Sequence, residues 1–153
     1  MLEVNFVQME LIAVVQLFIA TVLGALIGIE RSVAGKHAGM RTYALVALGS
    51  CLFTLAGELL SANYFGGALD PSRIAASVVM GIGFIGTGLV VMRDTAHPVG
   101  LTTAAGIWVA AGVGVAVAFG FYIIAVGATV LALLIFRTLA SVEEKIEEKF
   151  GRR

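Results

Sequence analysis

Residues 95–136 read TAHPVGLTTAAGIWVAAGVGVAVAFGFYIIAVGATVLALLIF and contain no Lys, Arg, Asp or Glu. About 20 helical residues, each rising about 1.5 Å, cross a hydrocarbon core about 30 Å thick. This stretch is too long for one membrane span and long enough for two, joined by a tight turn that we place among the small residues 112–120. A re-entrant pair of helices over the same residues is the alternative.

Three further uncharged stretches precede this one, at residues 11–29, 42–57 and 74–92. In a chain of 153 residues of which 59% are hydrophobic, they exclude a water-soluble globular domain. The first stretch is expected to remain as a span and not to be a cleaved secretory signal, because no Lys or Arg precedes it. The sequence therefore predicts an all-α, polytopic membrane helix bundle of about five segments. We place these segments at 11–29, 42–61, 73–92, 99–117 and 120–138, in a membrane domain 1–138 followed by a tail at 139–153.

The charged residues balance in number, ten basic against ten acidic, but not in position. Loop 30–41 holds three Lys or Arg, loop 93–98 holds one and the chain from 137 onward holds five, whereas Arg73 stands alone on the other side. Loops rich in Lys and Arg face the cytoplasm. The distribution predicts an outside N-terminus and a cytoplasmic C-terminus.

Most of the 19 glycines lie inside the apolar stretches. In a membrane, small residues let helix backbones approach closely, which is the main source of attraction between spans. We therefore predict that six of these glycines form helix-packing surfaces: Gly24, Gly28, Gly81, Gly83, Gly86 and Gly88.

Residues 81–86, GIGFIG, match the pattern GxGxxG of dinucleotide-binding folds. The context of that fold is missing, because no strand precedes the run and no acidic residue follows it by about 20 positions. Helix packing is the favoured interpretation. A locally unwound helix whose backbone carbonyls line a site, as in transporters, stays open as an alternative.

Two polar segments, 30–42 and 93–105, fall on the predicted cytoplasmic side. They supply a candidate binding cluster whose members are Glu30, Arg31, Lys36, Arg41, Thr42, Arg93, Asp94, Thr102 and Thr103. The cluster has more cations than carboxylates, which disfavours a bare Mg²⁺ site. It suits an anionic ligand: a membrane lipid headgroup, a phosphate, a nucleotide or the acidic surface of a partner protein. The alternative is that these residues only set the topology. Thr102 and Thr103 are expected to cap the helix that follows them, in preference to facing a polar cavity.

A smaller polar set, Glu58, Asp70 and Arg73, lies on the predicted outer side. Asp70 followed by Pro71 is a helix start signal, since an Asp caps the first turn and a Pro fits into it. Arg73 is expected to pair with Glu58 or Asp70. Two carboxylates are few for a divalent cation, so cation sensing here is the weaker alternative.

No enzyme signature is visible in the sequence. His37 and His97 lack a second His or Cys at zinc-ligand spacing, and no nucleophile and base have a supporting third residue. We expect no catalytic activity, metal, cofactor or nucleic-acid partner. The single cysteine, Cys51, is expected to be a small buried hydrophobic residue.

The tail carries an apolar stripe at helical spacing, formed by Leu139, Val142, Ile146 and Phe150. This helix should leave the membrane at Arg137. The stripe suits pairing with a second copy, contact with the membrane surface or contact with a further domain, and a merely solvated tail is the alternative. Together with the small-residue faces it makes a homodimer the expected oligomer.

Taken together, these motifs resemble the MgtC/SapB family of bacterial inner-membrane proteins over roughly residues 11–140. The motifs are Gly28-Ile29-Glu30-Arg31, Ala38-Gly39-Met40-Arg41-Thr42, Asp70-Pro71-Ser72-Arg73, the glycine run 81–88 and Gly100-Leu101-Thr102-Thr103-Ala104-Ala105 leading to Ile107-Trp108. The resemblance implies a multi-pass protein linked to growth in low magnesium, to virulence inside host cells and to restraint of the F-type ATP synthase. Longer members carry an ACT-like soluble domain after the last span, and this chain resembles a short form.

Two functions are consistent with this pattern. The first is a non-enzymatic regulator that packs its helices against a membrane protein partner such as the ATP synthase. The second is a small transporter or channel for Mg²⁺ or another ion. A conduction path needs ionisable residues near mid-membrane, whereas nearly all charges here lie at predicted span ends, which favours the regulator.

Overall fold

The computed structural model describes residues 2–64, 70–91 and 100–151, and throughout these ranges the regular structure is helical. The elements are α1 (Leu2–Val33), α2 (Met40–Tyr64), α3 (Pro71–Val91), α4 (Leu101–Ala118), α5 (Tyr122–Leu134), a π-helical turn (Ile135–Leu139) and α6 (Ala140–Phe150). Five helical segments are long and apolar enough to cross a membrane: Val7–Val33, Met40–Asn63, Ser72–Val90, Leu101–Ala118 and Tyr122–Phe150. The predicted all-α bundle of about five spans is confirmed.

Helices α1, α2 and α4 form a tightly packed core, which we call the closed seam. At Gly24 of α1, an added Cβ would lie 2.6 Å from the Tyr43 carbonyl oxygen of α2. At Gly28 it would lie 2.5 Å from the Cα of Met40, and at Gly114 of α4 it would overlap the Ala47 carbonyl oxygen. The three backbones therefore meet with no room for a methyl group, as small residues permit in membranes.

Gln16 and Cys51 are polar or weakly polar side chains inside the closed seam, and both are buried. The Gln16 Nε2 of α1 donates to the Val117 and Ala118 carbonyl oxygens at the end of α4, at 2.9 and 3.0 Å. These bonds satisfy carbonyls that a helix C-terminus leaves without a partner in the helix. Cys51 is fully buried on α2, which confirms its prediction as a small buried residue.

Helix α3 lies at the periphery and contacts α2 and α4. Of its described side chains, Ile82 alone is buried. A groove of about 910 Å³ separates α3 from α2, and cavities of about 420 and 210 Å³ separate it from α4. The helix is continuous through residues 81–86, so the locally unwound alternative is not what the structure shows.

The turn between the last two spans follows Ala118, at the end of the range predicted for it. Gly120 adopts a φ of 74°, a left-handed conformation that glycine accepts without steric cost. The Phe121 N–H donates to the Ala116 carbonyl oxygen at 2.8 Å and closes the turn. Beyond it, α5, the π-helical turn and α6 follow one another without a break.

The bundle has two polar ends. The basic end, where α1 finishes and α2 and α4 begin, carries Arg31, Lys36, Arg41 and, beside them in the π-helical turn, Arg137. The opposite end carries Glu58, Asp70 and Arg73. That the basic end faces the cytoplasm stays a prediction from the charge distribution.

Candidate functional site

Arg31, in the last turn of α1, is the centre of a buried polar cluster at the basic end. Its side chain is only 4% exposed, and its Nε donates to the Glu30 carboxylate. Its guanidinium carbon lies 3.7 Å from the centroid of the Phe136 ring. The buried cation therefore has a carboxylate to neutralise it and an aromatic face to stack on, both of which a desolvated guanidinium needs.

Tyr43 of α2 extends this cluster to α4. It is fully buried, and its hydroxyl donates to the Thr103 carbonyl oxygen at 3.2 Å. Gly106, one turn further along α4, provides the space: an added Cβ would lie 2.5 Å from the Tyr43 hydroxyl and 2.6 Å from the Phe136 Cζ. We call Glu30, Arg31, Tyr43, Thr103, Gly106 and Phe136 the Arg31 cluster.

The π-helical turn positions Phe136 in the cluster. Phe136 is buried, while Ile135 and Leu139 in the same turn are exposed. A π-helical turn changes the direction of side chains relative to a regular α-helix, and such turns are frequent at functional sites. The cluster thus joins the ends of α1, α2 and α4 to the helix that continues into the tail.

A tight loop between α1 and α2 leads out of the Arg31 cluster. The Lys36 N–H donates to the Arg31 carbonyl oxygen at 2.9 Å, and the Met40 N–H donates to the Ser32 Oγ at 3.0 Å. Gly35 adopts a φ of 67°, and an added Cβ at Gly39 would overlap the Ser32 hydroxyl. These contacts hold α1 and α2 together through a tight turn.

The structure divides the predicted cytoplasmic set into three groups. Glu30, Arg31 and Thr103 belong to the Arg31 cluster. Lys36 and Thr102 are exposed, and Arg41 and Thr42 line the groove between α2 and α3. The remaining two predicted members, Arg93 and Asp94, lie outside the described residues.

The expected capping role of Thr102 and Thr103 is wrong. Gly100 occupies the N-cap of α4 with a φ of 113°, and no side chain caps this helix. Because helix α4 starts at Leu101, both threonines already lie in its first turn. Thr103 contributes its backbone carbonyl to the Arg31 cluster instead.

At the opposite end, Asp70 caps α3 as predicted, since its Oδ1 accepts a hydrogen bond from the Ser72 N–H at 2.9 Å. The hydrogen bonds from the Ser72 side chain and backbone lower the pKa of Asp70, and the charge of Arg73 adds to this effect. Arg73 forms no ion pair with Glu58 or Asp70, all three side chains being described. Glu58 is exposed and borders a cavity of about 300 Å³ that Gln16 and the end of α4 also line.

The described part of the chain contains no group of three His, Cys, Asp or Glu side chains close enough to hold a metal ion.

Sequence reasoning missed Tyr43, Gly106 and Phe136. Tyr43 had one usable signal, a hydroxyl in a predicted span, because buried Tyr hydroxyls require a hydrogen-bond partner.

The six glycines predicted to pack fall into two groups. Gly24 and Gly28 lie in the closed seam, and Gly86 makes an ordinary contact, with its added Cβ 3.7 Å from the Ala104 Cβ. An added Cβ at Gly81, Gly83 or Gly88 would meet open space. For these three the predicted packing partner is not part of this chain's described residues.

Comparison with known proteins identifies the family. Residues 17–145 match the family model described as the MgtC family. Similar proteins include the one named "Putative magnesium transporter YhiD" of Escherichia coli K12, 39% identical over 141 residues, which are 89% of this chain and 64% of that protein. Protein MgtC of Salmonella typhimurium LT2 is 40% identical over 135 residues, 88% of this chain and 55% of that protein.

The chain thus spans less than two thirds of the length of these curated relatives. No solved structure matches it. The motifs at the ends of α1, α3 and α4 fall within the matched range, and the resemblance that they indicated is confirmed. This multi-pass membrane protein belongs to the MgtC family.

Proposed function

We propose that this protein is a non-enzymatic regulator in the bacterial inner membrane, which serves adaptation to low magnesium by packing its peripheral helix against a partner membrane protein. The link to magnesium is supported by the name of the relative YhiD. The family resemblance supplies the F-type ATP synthase as a partner and virulence as the physiological setting. The apolar tail stripe and the small-residue faces supply a second copy of the chain as a further partner.

The observation that carries the proposal is the contrast between the closed seam and α3. At Gly24, Gly28 and Gly114 the backbones of α1, α2 and α4 meet too closely for a methyl group. A hydrated ion has no path between helices packed in this way. The closed seam therefore suits a rigid scaffold better than a conduit.

Helix α3 has the properties of a docking element. Phe84 is 83% exposed and Met80 is exposed too, while the space beside Gly83 is open. Lipid provides no hydrophobic attraction between spans, so a partner helix gains from close backbone approach at small residues. In this proposal a helix of the partner packs on the face of α3 around Gly83, and exposed Lys36 attracts an anionic ligand or acidic partner surface at the cytoplasmic side.

The test uses cells that lack their own copy and carry the full chain with Gly83→Leu, which blocks close approach to α3. Growth in low magnesium and ATP synthase activity in inverted membrane vesicles are measured. We expect Gly83→Leu to behave like the empty vector at a normal level of membrane-inserted protein. Gly127→Leu, placed beside open space on α5, is the matched control and should behave like the unaltered chain.

A second candidate function is Mg²⁺ transport, and one observation favours it besides the name of YhiD. Glu58 borders the same cavity as Gln16 and the carbonyl-bearing end of α4, which are oxygen ligands of the kind that Mg²⁺ takes. Purified protein in liposomes distinguishes the two functions. Mg²⁺ uptake that Glu58→Gln abolishes would overturn the regulator, whereas uptake equal to that of empty liposomes would support it.

A further inference from the structure

The groove between α2 and α3 has a volume of about 910 Å³. Two helix faces form its walls. Residues of α2 at helical spacing, from Arg41 through Leu45 and Gly49 to Phe53, line one side, and the stripe of α3 from Ile74 to Ile85 lines the other. Apart from Arg41, the residues of the walls are apolar or carry a hydroxyl. The groove therefore suits a hydrocarbon chain, and its one charged residue lies at one mouth.

The groove is wedge-shaped. At Gly57 of α2 the helices touch, since an added Cβ there would overlap the Ile74 side chain. At Gly49 and Gly81, further toward the basic end, an added Cβ would meet nothing within 4 Å. Consecutive spans run antiparallel, so Ile74 closes the deep end and the wedge widens toward Arg41.

The length of the groove corresponds to one leaflet of a membrane. From Arg41 to Phe53 is 12 residues, or about 18 Å of helix at about 1.5 Å per residue. Half of a hydrocarbon core about 30 Å thick is about 15 Å. An acyl chain that enters beside Arg41 would therefore end near the point where Gly57 meets Ile74.

Arg41 places a cation at the mouth of the groove. No carboxylate whose side chain the structure describes lies within ion-pair distance of Arg41, whereas Arg31 is already neutralised by Glu30. Arg41 is exposed at the start of α2. It is the second residue of the candidate span Met40–Asn63, and the end of a span is where lipid headgroups are expected. An exposed guanidinium at this depth forms bidentate hydrogen bonds with a phosphate.

We propose that the groove between α2 and α3 is a binding site for one anionic phospholipid of the leaflet at the basic end, with an acyl chain between the two helices and the headgroup phosphate on Arg41. A helix of a second copy fits less well. A transmembrane helix continues past the closed end, where Gly57 of α2 meets Ile74 of α3, whereas an acyl chain ends there.

The site gives α3 a packing partner in the native membrane that the chain itself does not supply. It is independent of the proposed regulatory function, because a regulator and a transporter alike could hold this lipid. The bound lipid would fix the distance between α2 and α3 and therefore the position of the exposed α3 face.

The experiment is native mass spectrometry of the full chain, purified in mild detergent after reconstitution into vesicles of equal phosphatidylglycerol and phosphatidylethanolamine. We expect one retained phospholipid per chain, preferentially phosphatidylglycerol. Arg41→Gln should reduce this preference about fivefold, the weight of one basic residue at an anionic membrane surface. Arg73→Gln, at the opposite end of the bundle, is the control and should keep it.

The double variant Gly49→Leu/Gly81→Leu fills the groove from both walls, and at either position an added Cβ meets nothing within 4 Å. It should lose the retained lipid, while Gly88→Leu, which lies on α3 outside the groove lining, should keep it. Circular dichroism establishes that each variant is folded. Lipid retention by the double variant equal to that of Gly88→Leu would overturn the proposal, as would an unchanged headgroup preference in Arg41→Gln.

A disulfide experiment distinguishes a lipid in the groove from a helix of a second copy. In a Cys51→Ala background, Gly81→Cys would form an intermolecular disulfide under mild oxidation if two copies met at this groove. The lipid proposal expects monomer. A disulfide-linked dimer in intact membranes would overturn it.

Discussion

Gly24 and Gly81 are the same residue type, and both lie in apolar spans, yet their surroundings are opposite. Gly24 lies against the backbone of α2, and an added Cβ at Gly81 would meet nothing within 4 Å. The first belongs to a seam that the chain completes by itself, and the second to a helix whose neighbours are incomplete. Glycine density therefore indicates where close packing is possible, but whether the partner is in the same chain depends on the rest of the bundle.

The largest effect is expected when leucine replaces a glycine of the closed seam, and the same substitution on α3 is the comparison. Gly114→Leu would force a side chain into the Ala47 carbonyl and the Cys51 amide of α2, and overpacking of this kind costs about 3 kcal/mol of unfolding free energy. At Gly83 an added Cβ meets no neighbour and Leu is the better helix former, so Gly83→Leu should not lower the unfolding free energy. Denaturant unfolding in detergent micelles measures both. Equal losses of unfolding free energy in the two variants would contradict the difference between the closed seam and α3.

Variants of the Arg31 cluster test whether this cluster stabilises the basic end of the closed seam. Glu30→Gln leaves Arg31 buried without a counter-charge, and removing one partner of a buried ion pair costs about 3 kcal/mol. Glu30→Gln/Arg31→Met removes both charges and should recover most of this loss. The same unfolding measurement applies. A single variant as stable as the unaltered chain would show that Arg31 is solvated in the membrane-bound protein.

Tyr43→Phe is a smaller test of the same seam. It removes the hydroxyl that donates to the Thr103 carbonyl oxygen and leaves the ring in place, at an expected cost of about 1 kcal/mol. The matched variant Tyr122→Phe changes an exposed hydroxyl at the start of α5 and should be neutral. A neutral Tyr43→Phe would mean that the hydroxyl bond between α2 and α4 adds nothing to the packing.

The smallest expected effect concerns α3 and pH. Because the pKa of Asp70 is lowered in the folded chain, its cap contributes stability at pH values above the ordinary Asp pKa, and this contribution is lost as the pH falls through the lowered value. Thermal unfolding followed between neutral and acidic pH should show a decrease that is smaller in Asp70→Asn. An identical pH profile in the two proteins would show that the exposed cap does not stabilise α3.

Apolar length and helix start signals made the spans predictable. The run at 95–136 required two helices whatever their partners, and Asp70 with Pro71 marked the start of α3 by local chemistry alone. The Arg31 cluster was not predictable in the same way. Phe136 is 105 positions from Arg31 and is indistinguishable in sequence from the other apolar residues around it, and its burial depends on a π-helical turn that hydropathy does not reveal.

The remaining differences between the sequence-based expectations and the structure concern where α4 begins and what lies against the glycines of α3. A helix start near Thr102 and Thr103 favours them as caps, but Gly100 takes that position, Thr102 is exposed and Thr103 is buried. The glycines of α3 have the spacing of a packing face, and spacing does not specify which neighbour, protein or lipid, lies against it.

The unbroken helix from Tyr122 to Phe150 has a mechanical consequence. Its 29 residues extend about 43 Å at about 1.5 Å per residue, which exceeds a hydrocarbon core of about 30 Å by roughly 13 Å. Part of this helix therefore extends beyond the hydrocarbon core, and Phe136, in the π-helical turn that precedes α6, stacks on Arg31. The tail is thus joined to the junction of α1, α2 and α4 through one aromatic contact.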